Sequence, residues 1–71
     1  SAVSGAQASL YRAFAKTGSP LTWEVLSEIE TQALIRGGMK ASGMAQATVE
    51  KAIQALKKAG VSGPTKIPWG G

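Results

Sequence analysis

The stretch GMAQATVEKAIQALKKAGV, residues 43–61, constrains the fold more than any other part of this chain. Val49, Ala52, Ile53, Leu56 and Ala59 recur at intervals of three and four, which gathers them on one stripe of a helix. Lys57 and Lys58 fall in the last turn, where cations suit the helix dipole. Gly60 followed by apolar Val61 has the pattern of a Schellman ending, in which the residue after the glycine packs back on the helix.

Punctuation upstream marks two further helices. The first is predicted over about Ser4 to Thr17, with Leu10, Ala13 and Phe14 on one face and Gly18 as its left-handed stop. Ser19-Pro20 opens a new segment, and Thr22 is the better cap because Trp23 begins the next apolar stripe. That second helix is predicted over Thr22 to Arg36, with Trp23, Leu26, Ile29 and Ala33 on one face and Gly37-Gly38 ending it. Met39–Ser42 reads as a turn between glycines. The tail SGPTKIPWGG, residues 62–71, cannot be helical with two prolines and three glycines. Within it Thr65-Lys66-Ile67 is a candidate edge strand, and Trp69 is an apolar anchor for the helices or for a partner. The expectation is an all-α fold: a small three-helix domain over residues 1–61 with an extended Pro/Gly/Trp tail over 62–71. Its helices are expected to meet through Leu10, Phe14, Trp23, Leu26, Ile29, Val49, Ile53 and Leu56.

A chain of 71 residues makes one domain and buries only roughly 60% of its unfolded surface. It contains no cysteine, histidine or aspartate. A disulfide is impossible, a zinc site lacks its usual ligands, and a serine nucleophile lacks its usual base. Glu24 and Glu28 share a helix face, but that spacing is ordinary solvated surface. Gly38 to Gly43 has phosphate-loop spacing, yet Met44-Ala45 stands where Lys and Ser or Thr are required. The reading is therefore a protein that is not an enzyme and takes no metal or cofactor. No apolar run reaches the roughly 20 residues of a membrane span, and no signal peptide pattern opens the sequence. Ser1 is what remains when an initiator Met is removed before Ser, which fits an unprocessed cytoplasmic product. A cleaved leader leaves the same end.

Net charge is +4 and unevenly placed. Residues 1–36 balance Arg12, Lys16 and Arg36 against Glu24, Glu28 and Glu30, whereas residues 37–71 set Lys40, Lys51, Lys57, Lys58 and Lys66 against Glu50 alone. A basic half beside a neutral half points to a polyanionic partner.

Gly43-Met44-Ala45-Gln46-Ala47-Thr48-Val49, Ala52-Ile53, Leu56 and Gly60-Val61 together resemble the recognition-helix block of gluconate-repressor-type winged helix-turn-helix regulators. That block reads Gly, apolar, Ser, two variable positions, Thr-Val, two polar, Ala-Leu, two polar, Leu, three polar, Gly-Leu. The match covers residues 43–61 only. Ala45 stands where the family has Ser, and Glu50 stands where it has Arg. The resemblance implies that Gly43 allows a tight turn, that Gln46 reaches base edges, and that Thr48 and Lys51 touch phosphate. Lys40, Lys57, Lys58 and Lys66 complete the expected nucleic-acid-binding set by charge.

Three functional classes follow. The leading one is a small basic DNA-binding protein, of phage or plasmid type, acting through its third helix. The second is a structural or adaptor subunit of a larger assembly such as a virion, with Trp69 meeting neighbouring subunits or a second copy. The third is a secreted cationic antimicrobial peptide. They place the protein in the cytoplasm, in a virion or outside the cell.

Overall fold

Two helix starts and two helix ends rest on recognisable pieces of local chemistry. In the computed structural model, which describes residues 1–70, the elements are α1 (Ala2–Ala15), α2 (Trp23–Arg36) and α3 (Ser42–Lys58). Among the described residues there is no strand, so the fold is all-α and residues 65–67 are irregular rather than an edge strand. Gly71, the end of the expected tail, lies outside the described residues.

Ser1 Oγ accepts the Ser4 N–H at 3.2 Å, so α1 starts two residues earlier than its apolar periodicity implies. Thr22, extended at ψ 165°, caps α2 by accepting the Val25 N–H at 3.1 Å. Two helices close with Schellman pairs. After α2, Gly38 turns at φ +119° while Gly38 N–H reaches the Ile35 carbonyl (3.1 Å) and Met39 N–H the Leu34 carbonyl (3.0 Å). After α3, Gly60 turns at φ +92° while Gly60 N–H reaches Lys57 (3.1 Å) and Val61 N–H reaches Leu56 (3.0 Å), as the sequence pattern requires. Gly37 meets a different need. Its φ of −78° is ordinary, but a Cβ there would overlap Cγ2 of Val3, where α1 crosses the end of α2.

The boundary before α3 differs from expectation. Ser42 and Gly43 belong to the first turn of α3, with Ala41 as a cap residue that makes no side-chain hydrogen bond. Gly43 is helical, and the tight turn lies at Gly38 instead.

The helices do not meet at one point. α1 packs on α2 and α2 packs on α3, while no Cα of α1 lies within 8 Å of a Cα of α3. The core is Leu26 and Leu34 of α2, Ala45, Val49 and Ile53 of α3, and Ile67 of the tail. Of the expected contacts, Leu26, Ile29, Val49 and Ile53 are buried. Trp23 and Leu56 are half-buried at its border, and Leu10 and Phe14 are half-buried outside it. At about 100° per residue Val3, Gln7 and Tyr11 fall within the same roughly 100° arc of α1 as Leu10 and Phe14, and the polar Gln7 and Tyr11 are the ones that reach Glu30 of α2. Gln7 is the buried residue of that helix.

A carboxylate sits at the centre of this seam. Glu30 of α2 has no exposed surface. Its Oε1 accepts from Gln7 Nε2 (2.8 Å) and from Trp69 Nε1 (2.8 Å). Its Oε2 accepts from Tyr11 Oη (2.6 Å), from the Ile67 backbone N–H (2.9 Å) and from Gln7 Nε2 (3.1 Å). Gln7 Nε2 also donates to the Ile67 carbonyl at 2.8 Å. A buried charge is tolerated only when hydrogen-bonded. Here four neutral groups from α1 and the tail do the work of a cation. Burial, then the hydrogen bond to Glu30 and its negative charge, push the Tyr11 phenol well above its ordinary value. It therefore stays protonated and keeps donating.

These bonds make the tail part of the domain. Ile67 is 4% exposed and lies in the core, and Trp69 packs against that core. The radius of gyration, 11.6 Å, is near the roughly 11 Å of a compact chain of this length, which leaves no room for a protruding tail. The non-helical tail that begins at residue 62 is therefore packed on the helices through Ile67 and Trp69.

Candidate nucleic-acid interface

The side of α3 that does not face α2 is built by the same periodicity that builds the core. At about 100° per residue, Ala45, Val49, Ala52, Ile53 and Leu56 occupy one side of the helix. They are buried or half-buried. Met44, Ala47, Lys51, Gln54 and Lys58 fall within roughly 80° of one another on the opposite side. All five are exposed. This outward stripe carries two lysines and no carboxylate; Glu50 flanks it, lining a shallow groove with Ala47, Lys51 and Gln54.

The structure divides the expected binding residues among several places. Lys51 and Lys58 share the outward stripe. Gln46 is exposed but lies on the α2 side, lining a groove with Ser27, Glu28, Thr31 and Gln32. Lys57 is on that same flank, with Nζ 5.0 Å from the centre of the Trp23 ring, a cation–π contact joining α3 to α2. Thr48 is half-buried, and its hydroxyl donates to the Met44 carbonyl at 2.8 Å, a bond within the helix. Lys40 is exposed in the α2–α3 linker, just before the first turn of α3. Lys66 lies in the tail beside α1, in a groove with Ser1, Ser4 and Trp69. Trp69, expected to anchor on the helices or on a partner, is half-buried on its own domain and gives its indole N–H to Glu30. Met44, Ala47 and Gln54 were not among the expected site residues. Projecting residues 43–61 onto a helix and reading the side opposite Val49 and Ile53 finds them.

Burial also alters the surface charge. All eight lysines and arginines are exposed, whereas Glu30, one of the four carboxylates, is buried. Solvent therefore meets eight cationic side chains against Glu24, Glu28 and Glu50.

The first turn of α3 is open as well. Ala41 places no side chain on its N–H groups, and a Cβ added at Gly43 would touch nothing within 4 Å. Such a helix start favours anions through its free N–H groups and its dipole. Among the described residues no group of three His, Cys, Asp or Glu side chains converges. The buried Glu30 has its oxygens occupied by donors. Among the described residues no helix is long and apolar enough to cross a membrane. Compared with protein-family models, with curated proteins and with solved structures, the chain matches nothing in any of the three.

Proposed function

We propose that this protein is a non-enzymatic binder of duplex DNA that lays the outward stripe of α3 in the major groove. The observation that carries this reading is the pairing of Lys51 and Lys58 on the one side of α3 that packs against nothing, with Lys40 at its entrance. Two turns, or about 10 Å, separate the two lysines along the axis, and a helix of about 10–12 Å diameter matches a groove about 12 Å wide. The resemblance of residues 43–61 to a recognition helix supports it. In that case α2 and α3 form the helix-turn-helix unit and residues 37–41 form its turn. The internal docking of Trp69 fits a self-contained domain better than a subunit that completes its core on neighbours. α3 turns its apolar stripe onto α2 rather than outward, unlike the apolar face that a membrane-surface peptide presents.

The test is equilibrium binding of the full chain to a mixed-sequence duplex across a salt series. Affinity should fall linearly on a log–log plot. Lys51→Ala and Lys58→Ala should each reduce the slope by about one unit, without changing sequence preference. Absence of salt-dependent binding even at about 50 mM salt would reject the proposal.

A further inference from the structure

Met44 is the one large apolar side chain left exposed among the described residues, at 62% of its surface. Its place makes the exposure informative. It leads the outward stripe of α3, seven residues before Lys51 and fourteen before Lys58, all within about 40° of one azimuth. Its neighbours there are low: Gly43 has no side chain and Ala47 has only a methyl group. Met44 therefore stands above the surface at the end of the stripe where the first-turn N–H groups are free. A helix that enters a groove by its N-terminal end and rises out of it toward its C-terminus would bring Met44 to the base edges and Lys51 and Lys58 to the bordering phosphates.

Resting on the DNA-binding reading, we infer that Met44 is a base-contacting residue that recognises the C5-methyl group of thymine. The major-groove edges of the bases present donors and acceptors, with the thymine methyl as their apolar group. A thioether on three rotatable bonds is suited to pack on a methyl whose exact position varies from step to step. Gln46, the residue the recognition-helix resemblance selects for base reading, is displaced from this stripe onto the α2 flank. Base discrimination on the outward side thus falls to an apolar group, and the preferred ligand is T-containing DNA over the same sequence without the methyl.

The test removes only that methyl. One mixed-sequence duplex is made twice, with thymine and with deoxyuracil, and binding of the full chain to each is measured by fluorescence anisotropy at fixed salt. The wild type should bind the uracil duplex about fourfold more weakly, the value of one buried methyl-sized group. Met44→Ala, at an exposed position that leaves the core untouched, should bind both duplexes equally, and Met44→Leu should keep most of the preference. Lys51→Ala should weaken both and preserve their ratio. Equal wild-type affinity for the two duplexes would overturn the inference and leave DNA binding intact. Equal weakening of both by Met44→Ala would overturn it too, and would mark Met44 as a wedge or protein contact. Failure of the wild type to bind either duplex would reject the DNA-binding reading, and this inference with it.

Discussion

Replacing Glu30 by Gln changes one atom of a buried side chain, and the geometry sets the cost. The new amide must turn its NH2 toward one of two donor sets. Placed at Oε1, it faces the N–H groups of Gln7 and Trp69. At Oε2 it meets the Tyr11 hydroxyl, which can rotate to accept, the Gln7 amide, whose two hydrogens still have Oε1 and the Ile67 carbonyl at 2.8 Å, and the Ile67 N–H, which cannot accept. The second orientation is the cheaper one. It leaves a buried backbone donor unpaired, at about 1–3 kcal/mol, and converts the remaining bonds from charge-assisted to neutral. We expect a total loss of roughly 2–4 kcal/mol, against roughly 4–11 kcal/mol for a domain of this length. Urea unfolding should show a lower midpoint with an unchanged slope, and the melting temperature should fall by at least about 10 °C. Glu28→Gln, on the exposed side of the same helix, should stay within about 0.5 kcal/mol of wild type. A double-mutant cycle with Tyr11→Phe should return a coupling above about 0.5 kcal/mol. If Glu30→Gln is no more harmful than Glu28→Gln, the carboxylate is not what joins α1 and the tail to α2.

Two further outcomes are expected. The folded protein holds the Tyr11 proton more tightly than the unfolded chain does. The tyrosine contribution to stability is therefore complete below about pH 10 and lost as pH rises above it, because only the unfolded state releases that proton. An absorbance titration of this sole tyrosine should show phenolate appearing together with alkaline unfolding; an ordinary titration of folded protein would contradict the buried hydrogen bond. Gly37→Ala should cost about 1–3 kcal/mol by forcing its methyl against Val3, and Val3→Ala in the same chain should recover part of that loss. A tolerated Gly37→Ala alone would mean that α1 does not cross α2 there.

The helices were legible because their signals are local. Thr22 caps α2 with its own hydroxyl, Gly60 and Val61 close α3 within six residues, and Val49 and Ile53 declare the buried side of α3 by spacing alone. The outward stripe was equally present in the sequence, since the face opposite a core stripe follows from the helical repeat. Gln46, Thr48 and Lys57 have suitable chemistry, but they point toward α2 or bond within their own helix.

The tertiary structure alone decided how α1 and the tail attach. Hydrophobic periodicity selected Leu10 and Phe14 for that interface, because such patterns count apolar residues. Leu10 and Phe14 lie on the correct side and are half-buried, but the buried centre of the interface is Gln7, Tyr11 and Glu30, joined by the Ile67 backbone and the Trp69 indole. Taken singly, each of those polar side chains belongs on a surface. Burial becomes possible only when donors separated by 19, 23, 37 and 39 residues from one carboxylate reach it together. A hydrogen-bond network closed across such distances has no periodicity to read along the chain. An apolar stripe on a helix repeats every three or four residues, which is why the sequence by itself determined that there are three helices, while the fold determined what lies between them.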